Sequence, residues 1–127
     1  MIRHGEDPFL ECSGDGFRPF SALTARGPGG ASIEHIYQTS KIIDGRYVRN
    51  IAQGKGKLAD NQEECAKLYS TLWDRYIEEN PALGRLLMRQ SGLSDKYGQR
   101  GHVCQATELW RIRERLLRDQ NIPVESA

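Results

Sequence analysis

Cysteine is scarce and unpaired in this chain: Cys12, Cys65 and Cys104 are the only three, and no two stand in a C-x-x-C spacing. An odd, scattered set argues against a disulfide framework and against a structural zinc site. An excess of one charge is also missing. Eighteen Lys and Arg against 17 Asp and Glu leave a formal net charge of +1. No bulk attraction to nucleic acid or membrane follows, though a local basic patch stays open. No apolar run approaches the roughly 20 residues that cross a bilayer, and Met1-Ile2-Arg3-His4-Gly5 carries no secretory h-region. These absences lead us to expect a reducing, cytoplasmic setting. The chain has no G-x-x-x-x-G-K-[ST] phosphate loop, and Arg89-Gln90-Ser91-Gly92-Leu93 lacks the G-x-S-x-G spacing of a serine hydrolase.

What is present suits one globular domain: 127 residues, 28% charged and 38% hydrophobic. The expected class is α+β, mainly helical, with a strand-and-turn layer over residues 1–31, a helical part over 32–118 with about four helices, and a tail over 119–127. In the first layer, Phe9–Cys12 and Phe20–Thr24 read as short strands, and Gly27-Pro28-Gly29-Gly30 as a turn. Ser32 is placed to cap a first helix. From Asp44 to Ala59 glycines and cations (Arg46, Arg49, Lys55, Lys57) predict a loop that either approaches an anion or is simply solvated. Asp60 with Glu63 predicts a capping arrangement for a helix burying Cys65, Leu68, Tyr69, Leu72, Trp73, Tyr76 and Ile77. Asn80-Pro81 restarts a helix that buries Leu83, Leu86 and Leu87, with Gly92 as its cap. Ser94 to Gly101 reads as a polar connector. A last helix over about His102–Arg118 buries Val103, Ala106, Leu109, Trp110, Ile112, Leu116 and Leu117.

The first helix is the most informative stretch. At about 100° per residue, Glu34, Tyr37, Gln38 and Lys41 form one stripe, while Ile33, Ile36, Ser40 and Ile43 lie on another side. A carboxylate, a phenol, an amide and an amine in one row form either the wall of a polar ligand site or a solvated face. The aromatics Tyr69, Trp73 and Tyr76 stand at core spacing. His35 has no paired His or Cys at ligand spacing, so no metal is called for.

The string Ser32-Ile33-Glu34-His35-Ile36-Tyr37-Gln38-Thr39-Ser40-Lys41, preceded by Phe20-Ser21, resembles the F-S … [ST]-[VI]-E-H-x-Y-Q-x-x-K signature of the NADAR superfamily. Further along, Gly54-Lys55-Gly56-Lys57-Leu58 looks like that family's glycine- and lysine-containing loop. Asn80-Pro81-Ala82-Leu83 with Leu86-Leu87 is similar to its N-P-x-L-x-x-L-L helix. Asp95-Lys96-Tyr97-Gly98 stands where it has D-x-x-W-G, and Gln105–Arg113 where it has its last helix. The likeness spans about residues 17–118. Ala22-Leu23 replaces the usual N-F, and Tyr97 replaces the tryptophan, as in a compact, divergent member of the kind phages and mobile elements carry.

The resemblance implies a NADAR-like fold and a hydrolase activity, namely an N-glycosidase that splits a base from the ribose of a nucleotide or of an ADP-ribosylated base. It implies Glu34, Lys41 and Asp95 as catalytic residues. Lys41 would be nucleophile or electrostatic partner of the ribose, Glu34 its stabilising carboxylate, and Asp95 an acid–base group or ribose ligand. Phe20, Ser21, Tyr37, Gln38 and Tyr97 would bind substrate, with Arg46 and Lys57 toward phosphate. No cofactor is expected. The partner would be a nucleotide or ADP-ribosyl molecule, with DNA as one carrier of the modified base. A non-catalytic binder that kept the pocket is the alternative.

Overall fold

The computed structural model describes residues 1–4, 9–98 and 103–120. The chain runs β1 (Ile2–Arg3), β2 (Leu10–Glu11), α1 (Ile33–Thr39), β3 (Ile42–Ile43), β4 (Arg46–Tyr47), α2 (Ile51–Gly54), α3 (Gln62–Glu79), α4 (Pro81–Met88), β5 (Leu93–Ser94) and α5 (Gln105–Asp119). Two short 3-10 turns, Arg18–Phe20 and Pro28–Gly30, precede α1. The fold is α+β and mainly helical.

Helix α3 is the spine. Cys65, Tyr69, Leu72, Trp73 and Ile77 recur at three- and four-residue steps and are buried along it. Asn80-Pro81 ends it and opens α4, whose Leu87 is fully buried. Helix α5 adds Ala106, Leu109, Ile112 and Leu117 to the same core. Leu68, Tyr76, Leu83, Leu86, Val103, Trp110 and Leu116, expected to be buried, are only partly so and pack against it from the rim.

A three-stranded parallel sheet of order β1-β5-β2 covers one end of this core. Leu93 pairs with both Ile2 and Leu10, and Ser94 with both Arg3 and Glu11. The central strand is therefore buried on both edges, and the residue that follows it, Asp95, is drawn into the interior. Its backbone N–H donates to the Arg3 carbonyl at 2.8 Å.

Several local expectations are corrected. Phe20–Thr24 is not a strand. Pro19 favours a tight turn, Ser21 N–H donates to Arg18 O at 2.9 Å, and Ala25 N–H donates to Ser21 O at 2.8 Å. Helix α1 is capped as expected, with Ser32 Oγ accepting from His35 N–H at 3.0 Å, but it ends at Thr39. Lys41 and Ile43 therefore lie beyond the helix rather than on its faces. The segment after it is only partly loop: Asp44-Gly45, both at positive φ, turns β3 into β4, and Asn50 caps α2. Asp60 does not cap α3. The cap position is Asn61, whose side chain is engaged elsewhere, accepting from Ile42 N–H at 2.8 Å and donating to Ser40 O at 2.9 Å. Glu63 is exposed. Gly92 is not a left-handed cap either, since α4 closes at Arg89 and Gly92 instead lets the Phe9 ring approach.

Ser94 and Asp95, expected in a polar connector, are buried. The rest of that connector from Gln99 to Gly101 lies outside the described residues, as do His102, expected to begin the last helix, and the tail beyond Gln120. Asp119, counted with the tail, closes α5. No described helix is long and apolar enough to cross a membrane.

Candidate functional site

Helix α1, the Ser13–Asp15 and Ser21–Leu23 turns, Lys55-Gly56 just after α2, Tyr69 of α3, and residues 95–98 and 103–105 enclose a cleft of about 390 Å³. Its wall from α1 holds Glu34, Tyr37 and Gln38, and Lys41 follows from the residues just after. Asp95, Tyr97, Cys104 and Gln105 line it from other segments, and its buried floor includes Tyr69. The polar stripe of α1 is thus no solvated face. Helix α2 packs on one side of α1 and α3 on another, so Tyr37 and Gln38 are buried while Glu34 is half-buried.

Lys41 is 3% exposed. Its Nζ donates to Gly54 O at 2.8 Å and Lys57 O at 2.7 Å, and lies 5.1 Å from the centre of the Tyr37 ring. Burial lowers its pKa from the usual 10.5, with the Glu34 carboxylate pulling the other way. A neutral amine has two N–H bonds, and two carbonyls are here to accept them, which leaves the lone pair at the fourth tetrahedral position. Glu34 in turn accepts from Gln38 Nε2 at 2.7 Å, while the buried Gln38 Oε1 has no hydrogen-bond partner.

Asp95, 4% exposed, is fixed by the Gln105 Nε2 donor at 2.9 Å, by Tyr97 N–H at 3.1 Å and by the Cys104 thiol at 3.5 Å. Burial raises its pKa above the usual 3.8. The Tyr97 N–H and the Cys104 thiol oppose that rise, and Glu11 adds to it. Gln105 is the anchor of this wall. Its amide nitrogen holds Asp95, while its amide oxygen accepts from Ala22 N–H at 3.4 Å. Cys104 Sγ lies 3.5 Å from His4 Nε2, and burial raises its pKa from 9.0.

At the mouth, Tyr97 is 66% exposed. Its hydroxyl donates to Asp15 Oδ2 at 2.5 Å, and Lys96 Nζ meets the same oxygen at 2.9 Å. These bonds lower the Asp15 pKa and join two segments that frame the opening.

Of the residues singled out from sequence, Ser21, Glu34, Tyr37, Gln38, Lys41, Asp95 and Tyr97 meet in this one cleft. Three do not line it. Phe20 is fully buried, edge-on to Phe17 at 4.9 Å. Arg46 is exposed on the β3–β4 hairpin, which carries its side chain to solvent. Lys57 is exposed and contributes only its backbone carbonyl, to Lys41. Lys55 and Gly56, rather than Arg46 or Lys57, stand in the lining. Tyr69, Cys104, Gln105 and Asp15 were not singled out. Tyr69 sits at core spacing, and the others are joined to the site only by long-range contacts.

Among the described residues no cluster of His, Cys, Asp and Glu is arranged to hold a metal ion. Comparison of the chain with protein-family models, with curated proteins and with solved structures finds no match in any of the three.

Proposed function

We propose that the cleft is the active site of an N-glycosidase that cleaves the base–ribose bond of a nucleotide or ADP-ribosylated base. The observation that carries the reading is a pair of opposed shifts in one cleft: burial weakens the hold of Lys41 on its proton and strengthens that of Asp95. An ammonium with a carboxylate and an amine with a carboxylic acid have the same net charge. The two shifts bring the second, reactive distribution closer in energy.

In that distribution the Lys41 lone pair attacks C1′ as the C1′–N bond breaks. The bonding electrons leave with the base, which takes the Asp95 proton. Loss of a proton from the attached nitrogen and protonation of the ring oxygen open the sugar to a Schiff base. Water then hydrolyses it, releasing the ribosyl product and restoring the amine. Glu34 stabilises the positive charge that develops at the sugar. Net, one water adds across the base–sugar bond.

A second reading has its own observation. Lys41 Nζ donates to two backbone carbonyls, as in a lysine that builds a binding pocket without reacting. Chromatographic detection of base release separates the two, using ADP-ribosyl-guanine DNA, NAD, ADP-ribose and purine or pyrimidine ribose phosphates. The glycosidase releases base as wild type and loses release in Lys41→Ala and Glu34→Gln. A binder raises its melting temperature with one of these ligands and releases no base.

A further inference from the structure

We infer that the Tyr69 hydroxyl is the floor donor of a sugar subsite, recognising a neutral oxygen of the ribosyl group between Glu34 and Asp95. This rests on reading the cleft as a ribosyl site and adds a recognition residue that core spacing concealed.

Tyr69 is only 2% exposed, yet it lines the cleft. Its ring is locked by Tyr37, with centroids 5.0 Å apart, and by an edge-on contact with Trp73 at 6.4 Å. Several neighbouring polar groups of this floor and wall are already engaged within the protein. Gln38 Nε2 is given to Glu34, Gln105 Nε2 to Asp95, and Lys41 Nζ to two carbonyls. The Tyr37 hydroxyl accepts from Gln62 Nε2 at 3.2 Å. The Tyr69 hydroxyl donates to no group among the described residues. The Trp73 indole N–H lies near enough to favour its ionised form but makes no well-formed hydrogen bond. A phenol that lines a cleft without a protein acceptor is free to donate to a ligand oxygen.

The surroundings choose the kind of oxygen. Burial first, then the charges of Glu34, Cys104 and Asp95, hold the Tyr69 pKa well above 10, so it remains a donor throughout the working pH range. The Glu34 carboxylate disfavours an anion beside it. A hydroxyl-bearing sugar satisfies both carboxyl groups and the phenol, donating to the former and accepting from the latter. The anionic part of the ligand then falls toward Lys55.

Calorimetric titration of the whole chain with ribose 5-phosphate tests this, with n-pentyl phosphate as a ligand that keeps the phosphate and lacks the sugar. Tyr69→Phe keeps the ring and removes the donor. Tyr76→Phe is the control, because its hydroxyl donates to Pro19 O outside the cleft. The expected pattern is binding of ribose 5-phosphate weakened about tenfold in Tyr69→Phe and changed less than about twofold in Tyr76→Phe. Wild type should bind pentyl phosphate at least about tenfold more weakly than ribose 5-phosphate, and Tyr69→Phe should weaken it no further. The pentyl phosphate arm needs no variant and decides the matter should Tyr69→Phe melt early. Undiminished affinity in a folded Tyr69→Phe, equal affinity of wild type for both phosphates, or no binding of ribose 5-phosphate overturns the inference. Failure of base release with the binding pattern intact removes the glycosidase reading alone. Base release with Tyr69→Phe unaffected in binding removes the sugar subsite alone.

Discussion

Gly54 of α2 stands so close to Gln38 of α1 that a Cβ on it would lie 2.7 Å from Gln38 Oε1 and 3.0 Å from the Gln38 backbone oxygen. It would also meet Lys41 Cδ at 3.3 Å. The side-chain oxygen could turn aside, but the backbone oxygen belongs to α1 and cannot. Gly54 also supplies a carbonyl to Lys41 Nζ, so close packing of the two helices and placement of the amine are one arrangement. Gly54→Ala is therefore expected to destabilise the fold by about 1–3 kcal/mol, the cost of overpacking. It should also weaken ligand binding in the fraction that folds. Urea unfolding and a ligand titration on the same preparation measure both; unchanged stability would mean the helices have room to part.

The proton affinity of Lys41 offers a second measurement. Borohydride trapping of a Schiff base with a ribosyl aldehyde requires the neutral amine, so trapping rises with pH through the Lys41 pKa. Because burial lowers that pKa, the midpoint should lie below the usual 10.5. Glu34 favours the ammonium, and its removal in Glu34→Gln should move the midpoint further down. A midpoint at the ordinary lysine value, or an upward move in Glu34→Gln, would remove the electrostatic basis for a reactive amine.

Helices α3, α4 and α5 were legible because their apolar residues repeat at the helical period and nothing distant competes with that signal. The α1 stripe was legible as the wall of a polar cleft, and Glu34, Tyr37, Gln38 and Lys41 do line one. Its burial was not legible, because the helices that cover α1 come from elsewhere in the chain. Parallel pairing of two-residue strands 80 or 90 positions apart leaves no local pattern, so β1 and β5 were invisible, and with them the burial of Asp95. The Asp44-Gly45 hairpin did have a local signal, an Asp-Gly pair between Ile42-Ile43 and Arg46-Tyr47. The surrounding glycines and cations obscured it. Tyr69 shows the converse difficulty: a residue at core spacing packs in the core by its ring and faces the site by its hydroxyl.

Gln105 carries the last prediction, because its amide ties Asp95 to the Ser21–Leu23 turn. Gln105→Glu is nearly isosteric and exchanges the donor for a carboxylate facing Asp95. Two like charges at hydrogen-bond distance raise each other's pKa, on top of the rise that burial already gives Asp95. Folding then binds protons more tightly than the unfolded chain does, so the cost is full above the raised values and is relieved as the pH falls through them. The variant should be less stable than wild type by about 1–3 kcal/mol near pH 7, with the deficit closing toward acid pH. Position 105 is also the first residue of α5, where an acidic side chain is otherwise favourable by roughly 0.3–1 kcal/mol. Thermal melts across pH therefore discriminate by sign. Destabilisation that fades in acid reports the Asp95 contact, whereas a neutral or stabilising effect at pH 7 would show that Gln105 does not hold Asp95 in solution.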